Sequence, residues 1–108
     1  MTNFLDYRDR LGTNSGKVFK STLFQGSRLL IGLNCLEPGQ SQSAHTHSNQ
    51  DKFYFVLEGD GEFVVGEEIR EVGVGCTVWA AAGVQHGVTN NGGQRLVLLV
   101  GIAPSPKL

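Results

Sequence analysis

Glycine punctuates this chain: 15 glycines recur among 108 residues, and the runs between them are short and rich in Val, Leu, Phe and Thr. Strand-forming runs broken by turn residues every 8–12 residues or so point to an all-β sandwich or barrel. On this basis strands are expected at 18–24, 28–36, 52–57, 61–65, 68–72, 77–80, 85–90 and 95–102. No window of helical length carries a sustained apolar stripe. The segment Phe4, Leu5, Tyr7, Asp9, Leu11 comes nearest, and it is too short and polar for more than a turn or an arm. Single cores run to roughly 100–150 residues, so the expectation is one domain over 1–108, with 1–15 a short N-terminal arm.

Nine basic and ten acidic residues leave a net charge of −1, and the basic ones are scattered from Arg8 to Lys107. Such a distribution offers no electrostatic footprint for DNA or RNA. The longest apolar run, 96–100, is five residues, against the roughly 20 needed to cross a bilayer. Residues 1–8 lack the basic and apolar segments of an export signal, so the expected location is cytoplasmic, with no membrane partner. Cys35 and Cys76 form no C-x-x-C pair and read as thiols within strands.

Two runs ask for more cover than one small core supplies. In 53–57, Phe53, Phe55 and Leu57 share one face and Tyr54 and Val56 the other, and 96–100 is likewise apolar on both faces. A strand that is apolar on both sides must be covered on both. With so little chain left for an outer layer, a second copy is the simplest cover, and a homodimer is expected.

All three histidines fall in two short segments. His45-Thr46-His47 sets two imidazoles at i and i+2, on the same face of a strand. Two ligands alone do not hold a divalent ion tightly, so that pair by itself is as consistent with two surface side chains. Its surroundings add to it. Gly39, five residues, His45-Thr46-His47, four residues, Lys52, six residues and Gly59 follow one another. Further on come Gly75, five residues, Ala81, Ala82, Gly83, two residues, His86, three residues and Asn90.

These two stretches resemble the motifs of the cupin superfamily, G-x5-H-x-H-x3,4-E-x6-G and G-x5-P-x-G-x2-H-x3-N. The match covers the middle half of the chain, and the strand pattern extends it over most of the rest. The resemblance implies an antiparallel double-stranded jelly-roll barrel with a divalent metal (Fe, Mn, Ni, Cu, Co or Zn) inside one end, held by His45, His47 and His86. It also implies a small-molecule ligand, polar or anionic.

Two positions depart from the pattern. Ala81 stands where the second motif has proline, and Lys52 stands where the first has its metal-binding glutamate. An ammonium repels a cation, whereas a carboxylate binds it. A slip of one residue offers Asp51 instead, on the face of Phe53 and Phe55, while Lys52 shares a face with Tyr54 and Val56. The family pattern favours Lys52 at the site, where its charge suits a carboxylate or phosphate. Its long stem equally allows the ammonium to bend out to water. Gln50 and Tyr54 are further candidates for contact with a metal or substrate; Trp79 reads as core or interface. Two functions remain open: a metal-dependent enzyme of dioxygenase or isomerase type, and a non-catalytic cupin that binds or senses a small molecule or metal.

Overall fold

Alternation along β4 (Asp51–Glu58) sets the layout of the molecule. Lys52, Tyr54 and Val56 turn to one side and are buried, while Phe53, Phe55 and Leu57 turn to the other and stay half-exposed. The computed structural model describes residues 2–46 and 48–106, with His45 described through its backbone alone. A short 3-10 turn at Tyr7–Arg10 is followed by β1 (Phe19–Gln25), β2 (Leu30–Leu36), β3 (Ser41–His45), β4, β5 (Gly61–Val65), β6 (Glu68–Val72), β7 (Thr77–Ala80), β8 (His86–Thr89) and β9 (Leu96–Ala103). All ladders are antiparallel, in a five-stranded sheet ordered β1-β2-β9-β4-β7 and a four-stranded sheet ordered β3-β8-β5-β6.

The all-β antiparallel class holds, but the expected barrel does not. Among the described residues β1 and β7 end one sheet, β3 and β6 end the other, and no ladder joins the two. Closing a barrel needs a continuous ladder round the circumference. Here the chain passes between sheets through turns. The one from β6 to β7 is pinned to β4 by bonds from Val56 N to the Cys76 carbonyl and from Gly75 N to the Val56 carbonyl, each 3.0 Å. The correct description is two open sheets packed face to face.

The core lies between them. Leu36, Tyr54, Val56, Leu96, Leu98 and Val100 from the larger sheet meet Phe63 and Val88 from the smaller one, all almost fully buried. Fully burying a side chain of this kind is worth roughly 1.5–3 kcal/mol, so this layer dominates the stability of the fold. Asn90 ends β8 beneath it, wholly buried, donating at 2.9 Å to the carbonyls of both Leu36 and Gln94 and accepting from Gly92 N at 3.0 Å.

A second cluster sits on the outer face of the larger sheet. Leu33, Cys35 and Val97 are buried there under Tyr7, Leu11 and Phe19, so the chain's own N-terminal arm supplies part of the cover assigned above to a second copy. Tyr7 Oη donates to Glu58 Oε2 at 3.0 Å, and Arg95 holds the other carboxylate oxygen at the same distance. Further along this face the ring of Phe53 lies across Gly101, its register partner on β9, where any Cβ would strike it. Gly59, between β4 and β5, has φ +79° and lies against the Arg95 carbonyl; only glycine combines that conformation with so close an approach. No helix among the described residues is long and apolar enough to cross a membrane.

Candidate functional site

Two strands, one from each sheet, bring the site together near one end of the inter-sheet space. Lys52 and Tyr54 come from β4 in the larger sheet and His86 from the first position of β8 in the smaller one. His86 is 2% exposed, and its Nδ1 lies 3.1 Å from the Val84 carbonyl oxygen. That oxygen can only accept, so Nδ1 carries a proton, and in the neutral ring the lone pair is left on Nε2. The turn that delivers His86 is itself fixed: Asp51 Oδ1 accepts from Ala82 N at 2.9 Å.

Tyr54 is the middle of the arrangement. Its ring packs against Phe63 at 5.2 Å and meets His86 edge-on at 6.0 Å. The Lys52 ammonium stands 4.9 Å from the centroid of the same ring, within cation–π range. Tyr54 Oη is buried and accepts or donates no hydrogen bond among the described residues. Burial pushes its phenol well above the usual tyrosine value.

Lys52 is 8% exposed, an unusual state for an ammonium. It lines a cavity of about 190 Å³ with Lys20, Thr22, Asn34, Val100 and Ile102 among its neighbours. Asn34, 5% exposed, donates from Nδ2 to Gln42 Oε1 at 3.1 Å, a bond that runs from β2 to β3 and so ties the two sheets beside the cavity. No ion pair joins Lys52 to a carboxylate among the described residues. Desolvation first, and the charge of Lys20 second, lower its amine from the ordinary lysine value to about 8.

The sequence-derived candidates separate cleanly in space. Lys52 and Tyr54 face the inter-sheet side. Asp51 is exposed and engaged with Ala82, and Gln50 donates from Nε2 to the Pro104 carbonyl at 3.1 Å. Trp79 is 59% exposed on the outer face. The backbone register pairs His45 with His86, but the His45 side chain and all of His47 lie outside the described residues.

The divalent metal implied by the family resemblance does not fit what is described. Among the described residues no group of three or more His, Cys, Asp or Glu side chains is placed to hold an ion. The position that should bring an anionic ligand brings the Lys52 ammonium into the cavity instead, and a cation beside a cation is repelled. The expected divalent metal is therefore corrected, and with it the metal-dependent enzyme built upon it; of the three expected ligands, only the His86 side chain is among the described residues.

Lys20, Thr22 and Asn34 went unnoticed in the sequence. Asn34 carried a usable signal, because one amide inside the apolar run Leu30–Leu36 must find a partner once buried. Lys20 carried none: a lone lysine on an edge strand reads as solvent-facing.

A family model described as Cupin domain matches residues 32–102. The crystal structure of TT1209 from Thermus thermophilus is 38% identical, covers 97% of this chain and 100% of its own, and superposes with a TM-score of 0.93. An uncharacterized conserved protein with a double-stranded beta-helix domain from Klebsiella pneumoniae shares the fold at 19% identity and TM-score 0.90, over 96% of this chain and 91% of its own. A protein of Streptomyces coelicolor is 39% identical over 56 residues, 52% of this chain, and the match spans about half of that relative's own length.

Proposed function

Since this chain belongs to the cupin family, we propose that it is a non-catalytic binding cupin whose cavity on the larger sheet, walled by β1, β2, β4 and β9, takes a small anion through Lys52. One observation carries the reading: an ammonium buried in a cavity with no described carboxylate beside it. A buried charge without a counter-charge costs several kcal/mol, and an anionic ligand supplies the partner the protein omits. Lys20 adds a second cation to the same cavity wall, and Asn34 and Thr22 add polar atoms. A cavity of about 190 Å³ has room for a small carboxylate or inorganic phosphate.

Calorimetric titration of oxalate and of inorganic phosphate tests this. Binding of at least one is expected, weakened about tenfold or more by Lys52→Met, since a charge-assisted contact is worth roughly 1.5–3 kcal/mol. No heat of binding for either anion, or equal affinity in Lys52→Met, overturns the reading.

The family fold is also expected to work as a homodimer. The arm covers only part of the outer face of the larger sheet. Beyond it Phe53 and Phe55 remain half-exposed, and Trp79 and Leu29 are 59% and 45% exposed. A second copy laid on this end completes the layer that the arm begins.

A further inference from the structure

Lys52 carries more than a charge. We infer that its amine is a nucleophile which condenses reversibly with the carbonyl group of a small oxo acid held in this cavity, so that the ligand is captured covalently. This rests on the anion reading above, with the carboxylate of the ligand serving as the anion and its neighbouring carbonyl as the reacting group.

The geometry supplies what such an amine needs. The side chain is buried, so the amine has lost most of its hydration. No described carboxylate holds it protonated, and Lys20, on β1 opposite Asn34, adds a like charge to the same wall. Desolvation and a neighbouring cation are the two devices that turn lysine into a nucleophile. With the amine at about 8, roughly one Lys52 in four is neutral at pH 7.5, against about one in a thousand for an ordinary lysine. The ring of Tyr54, 4.9 Å from Nζ at its centroid, offers its face to a cation. A protonated imine is such a cation, and it keeps that contact.

The step balances without any further reagent. The Nζ lone pair forms a bond to the carbonyl carbon as the C=O π pair moves to oxygen. One proton passes from nitrogen to that oxygen, giving a carbinolamine. The hydroxyl then leaves as water, taking one proton from solvent, and the nitrogen lone pair forms the C=N bond of a protonated imine. Nothing is oxidised or reduced, and water reverses the sequence.

Selective trapping tests this on the whole, unaltered protein. Glyoxylate and sodium cyanoborohydride are added near pH 7.5, and carboxymethyl groups are located by peptide mass mapping over time. Lys52 is expected to be labelled at least ten times faster than the exposed Lys17, and to be slowed by excess oxalate. Lys52→Arg, which keeps the charge and removes the nucleophile, should still bind oxalate while losing the fast labelling. Labelling of Lys52 no faster than Lys17 overturns the proposal. Calorimetry with oxalate, which has no carbonyl open to an amine under these conditions, reports on the anion reading separately. Oxalate binding without selective labelling would leave that reading standing and remove this one.

Discussion

A lysine placed where a fold offers no counter-charge should reveal itself in stability. The Lys52 amine titrates near 8 in the folded protein because burial, then Lys20, disfavours its charge, whereas in the unfolded chain it titrates near 10.4. Below about pH 8 both states are protonated, and the folded state bears the whole cost of the buried charge. Between about 8 and 10.4 the unfolded chain binds more protons, so stability rises with pH, and above that range the cost is gone. Lys52→Met should therefore be more stable than the parent by roughly 1–3 kcal/mol at pH 7 in ligand-free buffer, with the gap closing towards pH 10.5. Urea unfolding at pH 7, 9 and 10.5 measures this, and a variant less stable than the parent at pH 7 contradicts it. The sequence shows plainly that Lys52 shares a face with Tyr54 and Asp51 one with Phe53. It does not show which face is covered by the other sheet, because both are apolar; that needed the packing of Tyr54 and Val56 against Phe63 and Val88 of the smaller sheet.

Among the elements, strands rich in Val, Leu and Phe are legible, and β3 is not. Ser41–His45 reads Ser-Gln-Ser-Ala-His, without a β-branched or aromatic residue, and its place beside β8 comes from tertiary pairing rather than from local preference. Whether the sheets close was equally hidden, since alternation fixes two faces for each strand and says nothing of what lies past an edge. Across the β4–β9 ladder the ring of Phe53 lies where a Cβ on Gly101 would stand. Gly101→Ala should cost about 1–3 kcal/mol, because the new methyl group drives the ring off its rotamer. In Phe53→Ala the same substitution should cost almost nothing, so a double-mutant cycle isolates the contact. Equal costs in both backgrounds would show that the ring does not govern the position.

For the whole molecule, the arm and the outer face decide the assembly. Tyr7, Leu11 and Phe19 seal Leu33, Cys35 and Val97, while the Trp79 end stays open. Light scattering at micromolar concentration should report about twice the chain mass of 11.7 kDa, and Trp79→Glu, by setting a charge in that face, should shift it to the monomer. A parent protein that is monomeric at that concentration removes the dimer. The Lys52 cavity bears on everything else, and it is open to direct observation. A crystal structure of the parent protein grown with oxalate should show the anion within hydrogen-bond distance of Lys52 Nζ, on the wall formed with Lys20 and Asn34. An unfilled cavity at saturating oxalate, or a Lys52 side chain turned out to solvent, would contradict the assignment of this space as an anion site.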